Sequence, residues 1–150
     1  MLISQRINRF YGEFGFLSNF HPSPMTFDKR KYPTAEHAYQ CAKTNDASQQ
    51  NAMAAEKSPG RVKRMGAKCT LKKNWDNMRV QVMTDVVRAK FQQNSDLADQ
   101  LIGTGDAYLE EGNDWGDTFW GTCDGVGKNV LGNILMQVRK ELKQCSPSIS

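Results

Sequence analysis

The chain has 150 residues, of which 39% are hydrophobic and 24% charged, and its net charge is +4. This length supports one domain with a substantial core, and the composition is that of a soluble globular protein. No apolar run approaches the ~20 residues of a membrane-spanning helix, and the N-terminus lacks the apolar segment of a signal peptide. We therefore predict a cytoplasmic protein with no membrane contact.

The four cysteines are widely spaced, form no CxxC pair and are accompanied by only two histidines. This spacing favours neither a zinc site nor a disulfide framework. We expect reduced thiols, no metal and no cofactor.

The N-terminal third is rich in aromatic residues, glycine and proline, a composition typical of short strands and turns. The stretch MTFDKRKY at 25–32 predicts a hairpin with Asp28 and Lys29 near its tip. Thr34 then offers an N-cap for a helix through Lys43. Ser58 and Pro59 mark another helix start, because serine caps well and proline is tolerated in the first turn.

Hydrophobic periodicity and end signals predict six helices. They cover about residues 35–43, 47–57, 59–65, 75–92, 96–102 and 129–142. A turn and a short strand are predicted in TGDAYLEEG at 104–112, and a loop over 112–127. The sum is an α+β fold, a predominantly helical single domain over residues 1–150 with a small antiparallel sheet and little room for a parallel one.

The first helix carries an acid, an amide and an amine in one stripe. Glu36, Gln40 and Lys43 lie at i, i+4 and i+7, so they share a face, while small residues occupy much of the other side. Spacing alone favours an ordinary solvated row, with a glutamate stabilised near the helix N-terminus. The alternative is part of a reaction site.

The loop over 112–127 is unusually long and contains two tryptophans and several glycines. Trp115 and Trp120 offer flat faces for a base or a ribose, and Asp117 could bind ribose hydroxyls. The alternative is a loop held down by its tryptophans. A basic segment over 57–73 can attract phosphates, although a solvated face is the commoner explanation of such charge.

Four segments together resemble the NADAR, or YbiA-like, family. They are FGFLSNFHPSPMTFDKRKYPTAEHAYQCAK, SPGRVKRMGAKCTLKKNWDNMRVQVM, KFQQNSDLADQLIGTGDAYLEE and NDWGDTFWGTCDGVGKNVLGNILMQVR. The family shows LSNF before a YPTxEHxxQxxK helix, a central PxxxKxxG and a closing WGDxxWG with GxNxLGxxLMxxR. The resemblance extends over about residues 10–139, in the same order and with similar spacing.

The resemblance implies a mainly helical YbiA-like α+β fold and an N-glycosidase, a hydrolase that cleaves the C–N bond between a ribose and an amine or base. Two substrate classes are implied: phosphorylated ribosylamino-pyrimidine intermediates of riboflavin synthesis, and ADP-ribose on guanine bases of nucleic acid. The chain departs from the family after Gly66, where AKCTLKK replaces the glycine-arginine of many relatives. No arginine contact is therefore carried over to that segment.

Candidate residues follow from the matched positions. Cleavage of a ribosyl C–N bond develops positive charge at the anomeric carbon, which a carboxylate stabilises, and Glu36 is the first candidate. Lys43 or Lys63 could instead attack that carbon and form a Schiff base. The predicted substrate contacts are Asn19, His37, Gln40, Trp115, Asp117, Trp120 and Asn129, with a structural role for His37 as the favoured alternative.

Two other functions compete with the glycosidase. A non-catalytic module that binds ADP-ribose or nucleotides needs only the tryptophan-rich loop and the basic segment. A nucleic-acid-binding protein is suggested by the net charge, and its affinity would fall steeply with salt. Oligomeric state is not readable from the sequence.

Overall fold

The structure, a computed structural model, describes residues 5–145. These residues form two compact units: a continuous one, residues 19–94, and a second that joins residues 5–18 to residues 95–145. Helices account for about 53% of the described residues, which confirms the predicted helix-dominated α+β class. In chain order the elements are β1 (Arg6–Ile7), a 3-10 helix (Gly12–Leu17), β2 (Met25–Phe27), β3 (Arg30–Tyr32), α1 (Ala35–Ala42), α2 (Ala47–Ala55), α3 (Pro59–Gly66), α4 (Trp75–Gln93), α5 (Ser95–Gly103), β4 (Tyr108–Leu109), β5 (Gly112–Asn113), β6 (Thr122–Cys123) and α6 (Val130–Cys145).

Two helix starts in unit 19–94 are fixed by the caps that the sequence predicts. The Thr34 side chain accepts a hydrogen bond from the backbone amide of His37, and that of Ser58 accepts one from Arg61, with Pro59 at the first helical position. Such caps satisfy amides that have no partner inside the helix. The starts of α1 and α3 are therefore confirmed.

The core of unit 19–94 surrounds α1. The side chains of Ala35, Ala38 and Cys41 are fully buried, and their small size lets the neighbouring elements approach closely. The other buried members of this cluster are Met25, Tyr32, Met53, Val62 and Val86. The hairpin of β2 and β3 is antiparallel, and Asp28 and Lys29 at its tip take positive φ angles of 50° and 69°. The predicted hairpin is confirmed.

The second unit is organised by α6. The predicted apolar stripe of this helix is buried at Leu131, Ile134, Leu135 and Val138. Two strand pairs of this unit are parallel: β1 with β4, and β5 with β6. Each pair is only two residues long, which agrees with the prediction that the fold has little room for a parallel sheet. Nevertheless, two of the three sheets in the described residues are parallel.

One element differs in type from the sequence prediction. Residues 12–17 form a 3-10 helix where glycine and phenylalanine suggested strands and turns. Gly12 takes a φ of +63°, a conformation that glycine adopts without steric cost, and the helix follows directly. Within residues 5–145 no helix has the length and hydropathy of a membrane span, and the cytoplasmic location stays a prediction.

Candidate active site

Helix α1 directs polar side chains into the interior of unit 19–94. Glu36 is 7% exposed, Gln40 is 3% exposed and His37 is fully buried. A solvated helix face would leave these side chains in water, so the surface-row interpretation is wrong. Buried carboxylates and amides nearly always have hydrogen-bond partners.

Glu36 is held from two directions. The Nε2 amide of Gln40 donates to its Oε2 at 2.5 Å, as the i, i+4 spacing allows. The backbone amide of Glu36 donates to the carbonyl of Asn19 at 3.0 Å. Asn19 is itself buried, and its Nδ2 lies 3.3 Å from the sulfur of Met83. The structure therefore brings the LSNF segment against the first turn of α1.

His37 is fixed by two contacts inside the protein. Its Nδ1 lies 2.7 Å from the Thr34 hydroxyl, and its Nε2 lies 2.6 Å from the carbonyl oxygen of Glu56. Because that carbonyl can only accept, Nε2 carries the hydrogen and the Thr34 hydroxyl donates to Nδ1. Both ring nitrogens are occupied inside the protein, which favours the structural alternative for His37, and its substrate contact stays a prediction.

Lys43 lies at the last turn of α1 in a mixed electrostatic environment. Burial lowers the pKa of Lys43 below the usual lysine value, and the positive charges of Lys63 and Arg79 act in the same direction. The carboxylate of Glu36 opposes this lowering of the pKa. The ammonium also lies 5.5 Å from the centroid of the Tyr39 ring. Lys63, by contrast, is exposed to solvent.

Arg79 is the residue of this region that sequence reasoning missed. It lies in α4, is half-buried, and is electrostatically coupled to Lys43. The sequence offered a weak signal, since Arg79 lies within the matched segment NWDNMRV at the start of α4, but helix periodicity assigned Arg79 no partner. Arg79, Lys63 and the buried carboxylate of Glu36 all act electrostatically on Lys43. Such an arrangement suits an anionic substrate that contains phosphate.

In the second unit, Asn113 organises the loop between β5 and β6. The side chain is 2% exposed, and its Nδ2 donates to the carbonyls of Asp117 at 2.9 Å and Thr122 at 3.0 Å. Its Oδ1 accepts from the amides of Trp115 at 3.2 Å and Asp117 at 3.0 Å. A buried amide therefore holds the backbone of this loop in place.

Three predicted contact residues lie in this loop. Oδ1 of Asp117 accepts from the backbone amides of Phe119 at 3.1 Å and Trp120 at 2.9 Å, which shapes the turn. The Trp120 ring is half-buried and meets Phe119 edge to face, with centroids 4.8 Å apart. Trp115 is 64% exposed. Of the three, Trp115 presents the most open surface to a ligand.

Asn129 is buried and makes hydrogen bonds inside the protein, while its substrate contact stays a prediction. It is 2% exposed, its Nδ2 donates to the Leu109 carbonyl at 2.9 Å, and its Oδ1 accepts from the Glu111 amide at 2.9 Å. Its φ of 52° lies in the left-handed region, which asparagine tolerates better than most residues. The Asn129 side chain therefore connects the start of α6 with β4.

Replacing Asn113 with alanine is expected to lower the free energy of unfolding by about 2–4 kcal/mol, because it leaves several buried backbone groups without partners. Urea unfolding followed by circular dichroism measures the change. Asn133→Ala is the matched control, since Asn133 is exposed in α6 and makes one long hydrogen bond of 3.4 Å to the Lys128 carbonyl. Equal stabilities of the two variants would contradict the role of Asn113.

Comparison with known proteins places the chain in a family. Residues 9–143 match the NADAR domain. The chain belongs to the NADAR domain family, which confirms the resemblance found over residues 10–139. That this domain extends over all of residues 1–150 stays a prediction.

Individual relatives carry related names. N-glycosidase YbiA of Escherichia coli is 37% identical over 133 residues, which cover 87% of this chain and 82% of that protein. A riboflavin biosynthesis protein of Vibrio vulnificus is 40% identical over 136 residues, 89% of this chain but only 37% of the length of that protein. The NMR structure of Escherichia coli YbiA has a TM-score of 0.83 at 35% identity, covering 95% of this chain and 88% of that chain.

Proposed function

We propose that the chain is an N-glycosidase that hydrolyses the C–N bond between a ribose phosphate and an amine-bearing base. The observation that carries this proposal is a buried carboxylate, Glu36, on the same helix as a half-buried amine, Lys43. Relatives of similar length bear the name N-glycosidase, and the Vibrio vulnificus relative is named for riboflavin biosynthesis. Those names favour a small phosphorylated ribosylamine as the substrate.

Glu36 supplies the negative charge that the reaction needs. As the C–N bond breaks, positive charge develops at the anomeric carbon, and a carboxylate in a poorly solvated site stabilises that charge strongly. Burial at 7% exposure and the hydrogen bond from Gln40 fix the orientation of this carboxylate before substrate arrives. Lys63 and Arg79 are suited to hold the phosphate.

Lys43 offers a covalent route to the same product. Its neutral amine would attack the anomeric carbon of the ring-opened sugar, and the base would leave with the electron pair of the C–N bond and a proton. The resulting imine would then be hydrolysed by water, releasing ribose phosphate and restoring the amine. A lowered pKa supports this role, because it increases the fraction of the nucleophilic neutral form.

A second substrate class is favoured by the charge of one segment. Residues 57–73 contain seven lysines or arginines and no acid, and most are exposed: Lys57, Arg61, Lys63, Arg64, Lys68, Lys72 and Lys73. Such a surface can follow a phosphate backbone, which would suit ADP-ribosyl-guanine in single-stranded nucleic acid. The competing non-catalytic role predicts binding of ADP-ribose without turnover.

One product assay separates these possibilities. The protein is incubated with a phosphorylated ribosylamino-pyrimidine and, separately, with an oligonucleotide that carries ADP-ribosyl-guanine, and products are identified by mass spectrometry. Release of the free base with ribose phosphate from the first substrate supports the proposal. Release of ADP-ribose from the second alone would select nucleic acid. Turnover of neither, with measurable ADP-ribose binding, would establish the binding module.

A further inference from the structure

We infer that Gln40 is a positioning residue for Glu36 rather than a substrate contact, and that Gly66 in α3 is the residue that makes room for it. This inference rests on the proposed function only for its kcat measurements, because the NMR titration needs no turnover. It assigns a role to a glycine at which no reaction chemistry takes place.

The nitrogen end of the amide faces the carboxylate. Gln40 Nε2 donates to Glu36 Oε2, and this assignment of nitrogen and oxygen follows because an ionised carboxylate can only accept. A charge-assisted bond of 2.5 Å is short and strongly directional. Gln40 is 3% exposed, so water does not provide a substitute donor when the amide moves.

The oxygen end of the amide faces Gly66. Gln40 Oε1 is buried and has no hydrogen-bond partner among the described residues. A Cβ atom built on Gly66 would lie 1.8 Å from this oxygen and 2.6 Å from Gln40 Cδ, far inside van der Waals contact. The amide therefore occupies the space that every residue except glycine would fill.

The two severe contacts fall on the end of a flexible side chain and not on backbone, and the third, with Gln40 Cβ at 3.2 Å, needs only a small shift. An alanine at position 66 can thus be accommodated by swinging the Gln40 amide aside, which breaks its bond to Glu36. Because Gly66 is the last residue of α3, alanine at this position also has the higher helix propensity. Gly66→Ala is expected to keep the fold while it disorients the catalytic carboxylate.

The matched control lies in the same helix. A Cβ atom on Gly60 would meet only the Ser58 hydroxyl, at an ordinary 3.7 Å. We expect Gly66→Ala and Gln40→Ala each to lower kcat by up to about 10²-fold, as misplaced catalytic groups do, with KM little changed. Gly60→Ala should retain wild-type kcat. The double variant Gln40→Ala with Gly66→Ala should lose no more than Gln40→Ala alone, since both changes remove one interaction.

The variant Gln40→Glu should have a kcat whose pH dependence a merely structural role of Gln40 would not produce. At low pH the two adjacent carboxyl groups share a proton, and the protonated one can donate as the amide did. As pH rises this proton is lost and the two carboxylates repel each other. The kcat of Gln40→Glu should therefore approach wild type at acidic pH and fall relative to wild type as pH increases.

The ¹³C NMR titration of the Glu36 carboxyl provides a readout independent of turnover. The signal is assigned by its absence from the spectrum of Glu36→Gln. The midpoint should move to higher pH in Gln40→Ala and Gly66→Ala and stay unchanged in Gly60→Ala. An inactive wild type would end the proposed function but leave this test intact. A wild-type midpoint in Gln40→Ala, or a Gln40→Glu variant whose relative kcat is independent of pH, would overturn the inference even if Gly66→Ala failed to fold.

Discussion

Replacing Glu36 with glutamine is expected to lower the turnover of a ribosylated amine by a factor of about 10²–10⁴, the range that correctly placed acid–base and electrostatic groups contribute. The variant removes the negative charge but keeps the shape of the side chain. The new amide oxygen can still accept the hydrogen bond from Gln40. Circular dichroism and thermal unfolding should therefore show a folded protein, and steady-state kinetics with mass-spectrometric detection measure the loss.

Glu13→Gln is the matched control for this experiment. Glu13 is exposed in the 3-10 helix, so the same chemical change there should leave turnover unaltered. Wild-type turnover in Glu36→Gln would remove Glu36 from the mechanism. A loss of folding would instead show that the carboxylate is chiefly structural, and it is distinguished from a catalytic defect by the unfolding curve.

Borohydride treatment during turnover is expected to trap a covalent ribosyl adduct on Lys43. The reductant converts an imine into a stable secondary amine, and peptide mass spectrometry locates it. Lys43→Met should abolish the adduct, whereas Lys63→Met should retain it, because Lys63 is exposed and Lys43 is the amine whose pKa burial lowers. The two variants have the same chemistry and differ only in position.

The pH dependence of trapping has a defined sign. A lysine with a lowered pKa is more often neutral at a given pH than an ordinary lysine, and its neutral fraction increases as pH rises through that lowered value. The initial rate of adduct formation should thus increase with pH. Full turnover without any adduct in the wild type would favour direct hydrolysis at Glu36, and an adduct on Lys63 would reverse the assignment of the two lysines.

The helices could be predicted well because their signals are local. Thr34 and Ser58 cap the helices that they were expected to cap, and the apolar period of α6 matches its buried face. The 3-10 helix at Gly12–Leu17 was missed because it is too short to show a period. The parallel strand pairs were missed because each strand is only two residues long, and β1 and β4 are also distant in sequence.

The candidate site was only partly predictable. Spacing placed Glu36 and Gln40 on one face of α1, but it could not reveal that this face is buried, because periodicity treats every polar side chain as a surface residue. Arg79 and Gly66 reach the site from other helices, and such tertiary neighbours leave no local pattern. Asn129 shows the converse, since a buried asparagine that makes structural hydrogen bonds and a binding asparagine are identical in sequence.

The pairing of β1 with β4 has a consequence for how the chain folds during synthesis. Arg6 and Ile7 are synthesised before residues 19–94, whereas their partners Tyr108 and Leu109 are synthesised after them. Residues 19–94 are continuous and can form their contacts in the interval, as contacts that are local along the chain form fastest. Strand β1 is thus synthesised before residues 19–94 but can pair only after them. Until β4 emerges from the ribosome, the edge of β1 is open to pairing with another nascent chain.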